Sequence, residues 1–112
     1  MRRFPVLFLL TLGCVALAAV AATAADVEIP VTIDKNRFEP SEIKVKAGTA
    51  FVLVVTNKDA TPEEFESKEL RIEKVIPAGK TMKIRVRALK PGTYPFVGEY
   101  HEATAKGRII AE

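Results

Sequence analysis

From residue 26 onward, apolar and polar side chains alternate in short runs, the pattern of strands with one face in a core and the other in water. In VEIPVTI, Val27, Ile29, Val31 and Ile33 share one side; in EIKVKAG, Ile43 and Val45 face inward while Lys44 and Lys46 face out. LRIEKVI alternates at Leu70 and Ile72, and TMKIRVRAL sets Met82, Ile84 and Val86 against Lys83, Arg85 and Arg87. FVLVVTN is apolar on both parities, which predicts a central strand covered on both sides. GTYPFVGEY and KGRIIAE supply a final pair.

Turn signals separate these runs at regular intervals: EPSE, KAGT, NKDATPEE, PAGK, KPGT and HEATAKG. About seven to eight short strands punctuated in this way predict an all-β fold, a Greek-key β-sandwich in which two sheets bury their apolar faces against each other. Residues 26–112 form one domain with one modest core. Lys83 and Arg85 read as a solvated strand face rather than a docking stripe, because the residues between them are ordinary core formers.

The beginning of the chain has a different composition. MRRFPVLFLLTLGCVALAAVAATAADV has two arginines, a long apolar run and then small residues, the three regions of an export signal. The expectation is a signal peptide over residues 1–25, cleaved after Ala24 or Ala25, and a periplasmic product. A retained membrane anchor and a lipidated Cys14 are weaker readings, since TLG precedes that cysteine.

Loss of Arg2 and Arg3 from the 17 basic residues leaves 15, set against all 14 acidic ones. A domain so nearly neutral lacks the concentrated positive charge that phosphate binding requires, so nucleic acid is excluded as a partner. Loss of Cys14 removes the only thiol, and with it any disulfide or sulfur-ligated metal centre. No G-x-G-x-x-G, Walker loop or G-x-S-x-G elbow occurs, and neither Ser41 nor Ser67 has a histidine near it in sequence.

The groups able to do chemistry lie in two stretches: Glu63, Glu64 and Glu66 in TPEEFES, and Glu99, His101 and Glu102 in GEYHEA. In a Greek-key sandwich the ends of non-sequential strands meet at one pole, so these stretches can converge. Carboxylate oxygens with one imidazole nitrogen suit copper(II), iron or zinc and suit copper(I) poorly, because soft cuprous ion prefers sulfur. Glu63 shares parity with Phe65, which points it inward if Phe65 packs in the core, and places Glu66 on the outer face. Glu99 and His101 share parity if the strand stays extended, and a turn at Gly98 would break that relation.

FEPSEIKVKAGT, VLVVTNKDATPEEFES, EKVIPAGKTMKIRVRALKPGTYPFVGEYH and AKGRII, in that order, resemble the cupredoxins, specifically the small cupredoxin-like domains of bacterial iron-uptake systems of the EfeO type. Copper-carrying members of that family place a histidine after the central strand, then a cysteine, a histidine and a methionine in the last loop. Carried onto this chain, those positions fall on Glu63 or Glu64, on Gly98, on His101 and on Lys106. Three of the four ligands are changed, which argues against a blue type 1 copper centre.

The resemblance implies an exported domain that binds iron or copper(II) through Glu63 or Glu64, Glu99 and His101. It would support iron uptake beside a membrane iron permease or other periplasmic components, by delivering the ion or assisting ferrous oxidation. Oxidation would require a redox partner or bound copper. The alternative is a non-catalytic sandwich module of a membrane transport complex that has lost its metal. A copper chaperone is disfavoured because the domain has a single methionine, Met82, within a strand pattern. An open sheet edge would allow two copies to pair.

Overall fold

The computed structural model describes residues 2–6, 11–16 and 26–112. The predicted leader lies in large part outside the described residues, and among those described no helix is long and apolar enough to cross a membrane.

Among the described residues nine strands follow one another: β1 (Val27–Asp34), β2 (Arg37–Glu39), β3 (Glu42–Val45), β4 (Phe51–Asn57), β5 (Glu63–Ser67), β6 (Ile72–Ile76), β7 (Thr81–Val86), β8 (Gly92–Gly98) and β9 (Lys106–Ala111). A single 3-10 turn, Glu99–His101, lies between the last two. The alternating pattern anticipates all but two of these. The three residues of β2 are too few to show a period, and β5 was hidden in a stretch rich in glutamate, which strands disfavour.

The strands form a four-stranded sheet in the order β2-β1-β4-β7 and a five-stranded sheet in the order β3-β9-β8-β5-β6. Both are mixed, since β1 runs parallel to β4 and β3 parallel to β9. This is the cupredoxin-like β-sandwich, and its crossovers between sheets bring β5 beside β8, about 30 residues later in the chain.

Strand β4 is central, as its double apolar parity predicts, but the sandwich has only two layers. Phe51, Leu53 and Val55 are buried in the core, while on the other face Val52 is buried and Val54 half-buried. The register places Glu28 and Arg85 beside Val52, and Pro30 and Lys83 beside Val54, so long side-chain stems replace a third layer. Lys83 meets Glu28 at 2.9 Å and Arg85 meets Asp26 at 2.8 Å, which makes this the solvated, ion-paired face expected for it.

Three phenylalanines from different strands fill the core at one end. Phe65 stacks on Phe96 with centroids 4.8 Å apart, and Phe38 meets them edge-on at 5.9 and 5.0 Å. This packing fixes the direction in which β5 points its side chains, and therefore where its glutamates go.

Candidate metal centre

Strand β5 alternates without interruption: Glu63, Phe65 and Ser67 are buried, and Glu64 and Glu66 lie on the outer face. With Phe65 committed to the aromatic cluster, Glu63 must enter the same interior two residues earlier. A carboxylate that is only 1% exposed needs compensation, because burying its charge unpaired would cost several kcal/mol.

The β5–β8 register supplies that compensation. Phe65 lies opposite Gly98, so Glu63 extends past the end of β8 and faces the 3-10 turn. There its Oε1 accepts the backbone N–H of Tyr100 at 3.0 Å and that of Glu64 at 3.1 Å, and its Oε2 lies 2.5 Å from Nδ1 of His101. Oε1 thus accepts two backbone N–H groups, while Oε2 and Nδ1 share one hydrogen bond. The imidazole is 28% exposed and forms the outer wall of the pair.

Gly98 completes the arrangement by its missing side chain. A Cβ there would stand 2.6 Å from Cδ of Glu63 and 2.6 Å from Cβ of Ala105. The Glu63 carboxylate thus occupies the space into which a side chain at position 98 would project. Ala105, fully buried, closes the other side and accepts the N–H of Gly98 at 2.8 Å. Ala105, and not Lys106, is the residue packed at this point of the last loop; Lys106 opens β9 and is exposed.

The four sequence-derived ligands therefore separate into two sets. Glu63 and His101 meet inside the pole. Glu64 and Glu99 do not join them, because the 3-10 turn begins at Glu99 and breaks the strand parity that would have aligned Glu99 with His101. Glu64, Glu73 and Glu99 instead bring carboxylate oxygens within 4.8 Å of one another on the outer face. Across β5–β6 Glu66 lies opposite Glu73, which puts Glu73 on the same outer face as Glu64. The crowding pushes the Glu99 carboxyl up to about 7, chiefly through a hydrogen bond with Glu64 and repulsion from Glu64 and Glu66. Tyr100 is shifted upward as well, first by desolvation and then by Glu64.

A mixed two-sheet sandwich with a buried carboxylate and an imidazole paired at one end defines a class of small β-domains. The chain belongs to the Cupredoxin-like domain family, whose profile matches residues 6–111. An uncharacterized protein of Rickettsia prowazekii (strain Madrid E) is 39% identical over 83 residues, which cover 74% of this chain and 66% of that protein's length. Among solved structures, auracyanin A, a blue copper protein of Chloroflexus aurantiacus, superposes with a TM-score of 0.67 at 13% identity over 79% of this chain and all of its own. The metal-binding domain of the Cu(I)-exporting ATPase CopA of Streptococcus pneumoniae D39, determined with Cu(I), gives 0.68 at 17% identity, covering 76% of this chain and 84% of that one. The Cu(I) form of an amicyanin mutant gives 0.63 at 23% identity, covering 81% of this chain and 88% of that one.

The donors on this chain do not fit a type 1 copper ion. Position 98 offers no thiolate, its space is filled by Glu63, and Ala105 offers no thioether. An oxygen and an imidazole nitrogen fit a harder or borderline ion.

Proposed function

We propose that this domain is an exported metal-binding protein that takes iron or copper(II) between Glu63 and His101 and serves iron uptake. The observation that carries the reading is the 2.5 Å approach of a buried carboxylate to Nδ1 of the one histidine. The likeness to copper-holding proteins supports a metal in general; a carboxylate and an imidazole, with no sulfur, support a harder ion than Cu(I).

Glu63 and His101 would hold such an ion through a carboxylate oxygen and an imidazole nitrogen. The backbone N–H groups of Tyr100 and Glu64 would continue to hold Oε1, fixing the carboxylate in one orientation. The bound metal would supply a Lewis-acidic, redox-capable centre; this chain contributes the ligands and the closed apolar floor of Phe65, Phe96 and Ala105. Delivery to a membrane permease in the periplasm is the role we assign to it.

A second reading draws on the same contacts. Every lone-pair direction used by Glu63 already has a donor, so the pair could serve stability alone in a non-catalytic adaptor module. Calorimetric titration of chelator-stripped protein with copper(II), ferrous iron and chelated ferric iron separates the two. We expect one ion per chain, binding abolished in Glu63→Ala and His101→Ala, and binding retained in Glu64→Gln and Glu99→Gln. Absence of binding, or binding that survives loss of both inner ligands, would leave the adaptor.

A further inference from the structure

Three chain segments meet beneath His101, and a continuous run of hydrogen bonds joins them. It starts at Asn57, a fully buried amide at the end of β4. Its Nδ2 donates to the carbonyls of Thr61 at 2.9 Å and Ile76 at 3.1 Å, and its Oδ1 accepts the N–H of Asp59 at 2.9 Å. Thr61 lies two residues before Glu63, so this amide also braces the approach to the buried carboxylate.

Asp59 carries the run to the β1–β2 hairpin. Its Oδ1 accepts the N–H of Lys35 at 2.8 Å, and its Oδ2 accepts that of Asn36 at 2.9 Å. Both residues sit in left-handed backbone, with φ of 53° and 59°. Two successive positive φ values suit the tight turn of a hairpin but are strained for residues with a Cβ. The Asp59 carboxylate offsets that strain with two charge-assisted bonds.

The turn so held presents the carbonyl of Asn36, which accepts the hydroxyl of Thr104 at 2.6 Å. Thr104 belongs to the loop that bears the histidine: its N–H and that of Ala105 both donate to the carbonyl of His101, at 3.1 and 2.8 Å. The backbone of His101 is therefore anchored through Thr104 to a hairpin in the opposite sheet, although none of these groups touches the imidazole.

We infer that Asp59 and Thr104 are positioning residues for His101, acting through the carbonyl of Asn36 to fix the imidazole against Glu63. The metal arm of the test rests on the function proposed above; the geometric arm does not. Loss of either residue frees the turn or the loop, and the distance between Nδ1 and Oε2 is no longer set.

The test compares Thr104→Val, which keeps shape and removes the hydroxyl, Thr104→Ser, which restores it, and Asp59→Ala. On metal-free protein labelled at histidine nitrogen, NMR reads the Nδ1 proton shared with Glu63. Wild type and Thr104→Ser should give one sharp, strongly downfield resonance, and Thr104→Val and Asp59→Ala should lose or shift it while circular dichroism retains the sheet signal. Copper(II) affinity should fall roughly 10-fold in Thr104→Val and Asp59→Ala and return in Thr104→Ser, the scale of effect seen when a ligand's outer support is removed. An unmoved Nδ1 resonance in both disruptive variants would overturn the relay. If wild type binds no copper(II) or iron, the proposed function falls, and the resonance alone decides the positioning role.

Discussion

Gly98→Ala is the most direct test of how the pole is packed. The added Cβ would stand 2.6 Å from Cβ of Ala105, 2.6 Å from Cδ of Glu63 and 2.8 Å from its Oε1. Carbon atoms in contact prefer about 3.5–4.0 Å, so two neighbours would each have to yield by roughly 1 Å. Ala105 cannot yield easily, since its carbonyl accepts from Gly98 and its N–H donates to His101, both at 2.8 Å. Glu63 can yield only by leaving donors that hold it within the core. Overpacking of this kind costs about 1–3 kcal/mol, and loss of a charge-assisted hydrogen bond about 1.5–3 more. We expect a total of about 3–5 kcal/mol, read as the loss of denaturant midpoint in urea titrations. At about 4–8 °C per kcal/mol for a domain of this size, the melting temperature should fall by at least about 12 °C. Metal uptake should fail in the same variant, because the displaced carboxylate is the proposed ligand. A Gly98→Ala protein within about 0.5 kcal/mol of wild type, the range of an ordinary surface change, would refute the close approach of Glu63 to position 98.

Three further outcomes follow from the same geometry. Glu63→Gln keeps the side-chain shape but turns an amide toward donors that a carboxylate accepted, so stability should drop by about 1–3 kcal/mol in chemical denaturation; an unchanged midpoint would contradict the burial of Glu63 among donors. Asn57→Ala leaves the carbonyls of Thr61 and Ile76 without their donor and should cost about 3 kcal/mol, and a loss below about 1 kcal/mol would show that water or a backbone shift replaces the amide. Glu99 has its folded pKa raised from 4.5 to about 7, so the folded state holds the extra proton between those values. Stability should therefore fall as pH rises through that window and level off above it. Glu99→Gln should flatten the decline, and a wild-type urea midpoint that is constant from about pH 5 to 8 would sink the account.

What the sequence determined by itself is the sandwich and the direction of its faces. Strict alternation in β1, β3 and β7 leaves one way to bury Val31, Ile43 or Ile84, so the fold class follows from local pattern. The same parity favours Glu63 over Glu64 as the inward carboxylate only on the condition that Phe65 packs in the core, a condition the structure meets. The partners of that carboxylate were not legible. Glu99 looked equivalent to His101 until the 3-10 turn rotated one outward and the other in, and a three-residue turn leaves no periodic signature. Ala105 carried no signal either, and only the folded loop packs it against Gly98. Glu73, Asp59 and Asn36 carried no signal at all, since their roles arise from cross-strand register and from a hairpin in the opposite sheet. Side-chain parity is a property of a few neighbouring residues, and sequence holds it. Which strand ends share a pole depends on how two sheets cross over, and only the tertiary structure decides that.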